Sequence, residues 1–449
     1  MLAVGICLVA LLATYFATKR SVGYGLIAIA TTGYLYGILR ANLLVIASHF
    51  IFDCALIGMY AAFGGKFFAK DSGSATLRTW VLALIVWPCF LCLAPFQPFL
   101  VSLVGLRGNI FFVPILLIGC QLKHKDLRQF SFGLVFLNFL ALTFGVLEYF
   151  DGIERFFPVN EVTRIMYASG DVAGGHYRIP SLFSSAHAFA GSMVNTLPLL
   201  FGAWAQPKES ASRKTLLLCG MGAALGGVLL SSTRTHFVNA AFLMTVALFS
   251  SKISLRKRAI FVAVLAIVGV IAATNDRFGR FKTLSDSELV TDRINGSVNR
   301  SFFEILSDYP LGNGLGGGGT SMPYFLEGQI RNPVASENEY ARILAEQGII
   351  GLLIWFGFIG WCMSRKATAC LPSTWRPARR LMWFWLSFTF VAEALGNGLL
   401  TAIPQTFLFL LCVGWAVTSP QKEEAPRLAA TGRSWMTRGQ RVMGRVAAS

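Results

Sequence analysis

The sequence predicts an all-α polytopic membrane protein, with about 12–14 transmembrane helices and two long loops on one side. Three observations carry that reading. Hydrophobic residues make up 55% of the 449 and charged residues only 14%. Apolar runs of about 15 to 23 residues, the length at which a helix crosses a bilayer, recur along nearly the whole chain. The third observation is where the charge sits, because the net +17 is not spread evenly.

The apolar runs place spans at 2–18, 22–39, 41–63, 79–95, 105–122, 129–148, 183–204, 215–231, 236–250, 259–273, 346–363, 381–396 and 401–417. Residues 1–417 then form one transmembrane bundle, because the repeating unit is the span and not the soluble domain. Every second connection, together with the tail at 418–449, holds 26 of the 39 lysines and arginines. Positive-inside logic makes those connections cytoplasmic and puts the C-terminus inside. Of the 22 acidic residues, 15 fall in or beside the other two long stretches, 149–182 and 274–345, which are then external. A charge divided this way argues against a nucleic-acid partner. The tail, with Arg433, Arg438, Arg441 and Arg445 among apolar residues, suits the anionic inner leaflet.

The first run has no basic residue before it and a Lys19–Arg20 pair after it, the pattern of a retained span rather than a cleaved signal peptide. Nine cysteines lie scattered, mostly within spans, and indicate neither a disulfide framework nor a metal site.

Ionisable side chains at membrane depth need a partner or a task. His49 and Asp53 fall one helical turn apart near the middle of the third span. They have two readings: a proton relay, which would suit a transporter, or a structural pair that satisfies itself. Arg234, in "SSTRTH", interrupts a stretch of about 36 residues from Thr215 to Ser250, or roughly 54 Å of helix. That is too long for one span and short for two. Two short spans joined by a sunken break would hold Arg234 and His236 in a protein-lined pocket; the alternative is an interfacial anchor. Glu393 and Asn397 fall toward the outer end of the twelfth span, where the run from 381 to 417 is broken at "GNG", and read either as site residues or as helix-packing hydrogen bonders.

The first external loop runs into "GGHYRIPSLFSSAHAFAG", where His176 and Arg178 precede the seventh span and His187 follows one turn inside it. Arginine offers a rigid fork of donors suited to phosphate, while an arginine snorkelling at the interface is the plainer reading. The second loop carries "DYPLGNGLGGGGTS", whose GxGxxG spacing lacks the helix a nucleotide site needs, so no cofactor is expected. In "ASENEYARILAEQGIIG", Ser336 and Glu339 make a capping box that starts a helix at Glu337 and carries it on through Ile349 and Leu352 into the membrane. Glu337, Asn338 and Glu339 then stand at the helix mouth. A carboxylate there, beside a positive helix end and arginines, could hold an anionic headgroup while a base approaches a hydroxyl.

Together, "YRIPSLFSSAHAFAG", "SSTRTHFVNAA", and "YPLGNGLG" followed by "SENEYARILAEQGIIG" resemble the bacterial O-antigen polymerase and O-antigen ligase superfamily, in the family's order over residues 177–351. The resemblance implies an inverting, metal-independent glycosyltransferase of the inner membrane that works at the periplasmic face. Its donor would be a glycan on undecaprenyl diphosphate and its acceptor a sugar hydroxyl. Arg178 and Arg234 would neutralise the diphosphate, and Glu337 would be the general base. His176, His236, Asn338, Tyr340, Arg342 and Glu393 are the candidate substrate-binding residues. Ligases typically carry His where this chain has Glu337, a departure that weighs toward a polymerase of O-antigen or exopolysaccharide repeats. The ligase remains the alternative within the class, and a proton-coupled sugar or lipid transporter the alternative outside it. Membrane lipids, a chain-length regulator and export proteins are the further partners the resemblance implies.

Overall fold

The computed structural model describes residues 1–68, 75–167, 177–250, 301–319, 322–334, 338–371, 373–394 and 398–419, with Gly396 and single positions between 259 and 295. Most of the expected span at 259–273, most of the second loop before 301, and the tail from 420 lie outside the described residues. Among those described, all regular structure is helical, as the apolar periodicity predicts. The chain is an all-α polytopic membrane protein. Among the described residues, seven helical stretches are long and apolar enough to cross a bilayer, and Ala75–Leu91 and Gln405–Val417 are shorter apolar helices.

The principal helices are α1 (Leu2–Arg20), α2 (Val22–Asn42), α3 (Ile51–Phe63), α4 (Ala75–Leu91), α5 (Phe99–Ile110), α6 (Ile115–Gly119) and α7 (His124–Asp151). After the first long loop come α8 (Ala186–Trp204), α9 (Ala211–Leu230) and α10 (Arg234–Ser250), and after the second α11 (Ser301–Asp308), α12 (Glu339–Ser364), α13 (Arg376–Ala392) and α14 (Gln405–Val417). Helix α1 packs on α2 and α3 and leaves Leu8, Val9, Leu12 and Phe16 exposed, a face suited to lipid. At the centre, α8 is buried from Ala186 to Ala203 except at His187, and α14 is buried along its whole length.

In lipid, apolar surface gives helices little reason to associate with one another, so polar contacts and close packing must do it. Tyr34 of α2 donates to Asn138 of α7 at 2.8 Å, and Asn138 donates to Thr196 of α8 at 2.9 Å. Asp126 of α7 accepts from the Gly23 N–H at 3.1 Å, which satisfies a donor left open at the start of α2.

Two expected spans are broken. The run at 41–63 does not form one helix: α2 ends at Asn42, a 3-10 turn covers Ile46–Phe50, and α3 begins at Ile51. His49 therefore lies in the turn and Asp53 in the first turn of α3, not mid-span. The run at 105–122 divides into α5 and α6, with Pro114 as the residue that precedes α6.

Helix α12 starts later than the capping box predicts. Asn338 is the N-cap and its side chain accepts from the Ala341 N–H at 2.6 Å. Ser336 and Glu337 lie outside the described residues. The helix also breaks within, at Gly348 (φ 67°, ψ −173°), a conformation reserved for glycine. The freed backbone groups find partners in the second loop and α4. Ala345 O accepts from Asn313 N–H at 2.6 Å, Gln347 O from the Trp87 indole at 3.1 Å, and Ile349 N–H donates to Pro310 O at 3.0 Å. Non-helical backbone inside a bundle is tolerated when protein satisfies it, and here "YPLGNG" does so. Gln97 pins the same loop through Asn313 O at 2.9 Å and Arg331 O at 2.8 Å.

Candidate functional site

A cavity of about 680 Å³ opens at one end of the bundle. Its walls come from the end of α2, the 3-10 turn and start of α3, the end of α5, both long loops, the start of α8 and the segment before α14. Each of these is the end of a helix or a connection between helices. The arginines lining it are Arg40, Arg107, Arg164 and Arg178.

Two of these cations are countered. Arg107 donates through Nε and Nη2 to one oxygen of Asp53, at 2.9 and 2.5 Å, and lies over the Phe50 ring. Arg164 pairs with Glu161 at 3.7 Å and with Glu327 at 3.0 Å, tying the first long loop to the second at the rim. The other two have no carboxylate partner among the described residues. Arg40 is steadied over the Tyr36 ring at 5.7 Å, and the Nε atoms of Arg40 and Arg178 are buried without a hydrogen-bond partner. The start of α8 adds a third positive feature, because Ser184, Ser185, Ala186 and His187 line the wall there. Ser185 caps that helix by accepting from the Ala188 N–H at 3.1 Å. A helix N-terminus with two uncompensated arginines is an anion-binding arrangement.

The sequence-predicted residues part ways here. Arg178 lines the cavity. Arg234 is the first residue of α10 and half-buried, just after the buried break Ser231–Thr233, and is not among the lining residues. His236, 2% exposed, lies behind the wall, where its Nε2 is 3.4 Å from that of His187. His176, Glu337 and Asn397 lie outside the described residues.

Several of the expected substrate-binding residues have partners within the protein. Arg342 is 1% exposed and donates to Glu339 at 2.6 and 2.7 Å, to Glu346 at 3.0 Å and to Asn109 at 3.2 Å. Its donors are spent on its own helix and on α5, so it has no fork left for a ligand. Asn338 is consumed as the cap of α12, and Tyr340 donates its hydroxyl to Phe390 O. Glu393 is buried outside the cavity lining, and its main-chain oxygen accepts from the Glu339 N–H at 3.3 Å. His49 and Asp53 do not pair with each other: Asp53 faces Arg107, while the His49 ring packs against Tyr324 and Phe325.

Arg40, Arg107 and His187 are among the wall residues absent from the sequence-based set. Arg40 and Arg107, with Arg234, are the only cations outside the cytoplasmic set and the two long loops. That count was the available signal for them. His187 was visible in its motif, but nothing in the sequence showed that His236 would meet it.

The fold and site thus define a multi-pass membrane protein with a cationic cavity at one end. Residues 219–356 match the family model described as O-antigen ligase (Wzy_C), consistent with the O-antigen polymerase and ligase superfamily. The match runs from α9 across the second long loop and well past the middle of α12, and takes in Arg234, His236 and the Gly348 break. It supports a ligase- or polymerase-type function. No curated protein matches the chain.

Proposed function

We propose that this chain is a membrane glycosyltransferase that polymerises oligosaccharide repeat units carried on undecaprenyl diphosphate, at the periplasmic face. The observation that carries the reading is the cavity in which Arg40, Arg178 and the start of α8 stand without a counter-charge among the described residues. Glycosyl transfer from a lipid diphosphate leaves charge on the departing diphosphate, and fixed cations aimed at it lower the barrier. Arginine suits this because it stays charged and binds two oxygens at once. Donor and acceptor enter the cavity from the side where both long loops lie, and the Arg164–Glu327 pair joins those loops at the rim.

A second reading, transfer of finished glycan to lipid A-core, has the description of the matched family in its favour. The lipid-linked glycan profile of a strain carrying Arg178→Ala in a deletion background separates the two. Single repeat units accumulating on the carrier, with polymer lost, is the outcome expected of a polymerase. Long chains retained on the carrier beside bare lipid A-core would move the assignment to the ligase. An unchanged profile would contradict both.

A further inference from the structure

Transfer to a sugar hydroxyl needs a group that takes the hydroxyl's proton. The chain has five histidines, and two of them meet at the cavity wall. His187 sits in the first turn of α8 and lines the cavity; His236 belongs to α10 and is shut away behind it. Their Nε2 atoms are 3.4 Å apart and their ring centroids 4.4 Å. Burying the His236 imidazole whole and the His187 imidazole in part costs free energy that apolar side chains would not incur, so packing alone is a poor account of the pair.

The surroundings hold His187 in place. Gly398, at φ 98°, passes so close that a methyl group on it would lie 3.1 Å from the His187 Nε2. The Gly398 N–H is itself fixed by Glu339 at 2.8 Å. With Nε2 turned to His236, Nδ1 is the ring nitrogen left for a ligand, and it makes no hydrogen bond among the described residues. The Nδ1 of His236 is buried without a partner, so His236 reaches the cavity only through His187.

We propose that His187 accepts the proton of the acceptor sugar's hydroxyl, and that His236 is a positioning residue that fixes its ring and tautomer. This rests on the glycosyl-transfer reading above. In the competent tautomer, Nε2–H of His187 donates to Nε2 of His236, which leaves the Nδ1 lone pair free. The hydroxyl proton moves to that Nδ1 as the hydroxyl oxygen forms its bond to the anomeric carbon of the donor. The bond from that carbon to the diphosphate oxygen breaks, and its electron pair leaves with the lipid diphosphate, which Arg40 and Arg178 hold. The proton then passes from His187 to solvent through the open cavity.

The test uses purified full-length protein with a lipid-diphosphate-linked repeat unit as donor, and reads kcat and KM separately. His187→Ala is expected to lower kcat about 100-fold or more, the usual range for a general base, with donor KM changed less than about 3-fold. Free imidazole added to this variant should restore part of the rate. His187→Gln, closer in volume, should show the same fall if the alanine variant does not fold. His236→Phe preserves packing without a hydrogen bond and should lower kcat about 10-fold, with His236→Gln recovering much of it; a purely packing role would leave the Phe variant fully active. Wild-type kcat in either His187 variant beside an inactive Arg178→Ala would overturn the assignment and leave the glycosyl-transfer reading intact. Full activity in Arg178→Ala as well would bring down that reading itself.

Discussion

Arg342 and Arg178 share a neighbour and have opposite fates. Gly398 lines the cavity with Arg178, and its N–H is held by Glu339, the same carboxylate that grips Arg342. Arg342 is sealed among Glu339, Glu346 and Asn109 with its donors engaged. Arg178 faces an open cavity and has no carboxylate partner among the described residues. A buried cation must be compensated by the protein, whereas a cation at a wetted cavity can be left for a ligand to compensate. An arginine in a membrane bundle therefore becomes a binding candidate through what it lacks, not through its depth alone.

The contrast breaks most visibly at Arg342. Replacing it with Ala strands two carboxylates in a protein interior, and the expected loss is about 3–5 kcal/mol of stability, seen as a collapsed unfolding midpoint in detergent. A stable Arg342→Ala protein would place the residue with the cavity arginines instead. Arg178→Ala should do the reverse. Its unfolding midpoint should match the wild type within about 0.5 kcal/mol while glycan transfer falls roughly 100- to 1,000-fold, the scale for loss of one charge-stabilising donor. A smaller effect is expected at Gly348, which ties the sealed region to the second loop. An added methyl would lie 2.5 Å from the Leu311 carbonyl carbon, and the backbone conformation suits only glycine. Gly348→Ala should cost about 1–3 kcal/mol in the same unfolding assay. Least of all, Trp87→Phe removes the indole donor from Gln347 O and should cost about 1 kcal/mol, leaving transfer activity in place.

The fold class was legible because apolar runs of span length are dictated by bilayer thickness, and the described helices fall on those runs. The break at "SSTRTH" was legible for the same reason, since Thr215–Ser250 is the wrong length for one or two ordinary spans, and Ser231–Thr233 do form a buried connection between α9 and α10. What escaped was partnership. Arg107 and Asp53 are 54 positions apart, and Asn109 and Glu346 237 apart. No local pattern reveals such pairings. The mouth of α12 was read as a site because acids at a helix start are favoured for any purpose. Of these, Asn338 caps the helix and Glu339 pairs with Arg342, while Glu337 lies outside the described residues.

The central claim is that the cavity transfers glycan from a lipid diphosphate. The most direct measurement is elongation by the purified chain alone in proteoliposomes, supplied with a lipid-diphosphate-linked repeat unit and read by the size of the lipid-linked product. Products of two or more repeats are expected from the wild type, and only the single repeat from an equally stable Arg178→Ala. Folded wild-type protein that leaves the donor unextended, or an Arg178→Ala variant that extends it as well as the wild type, would contradict it.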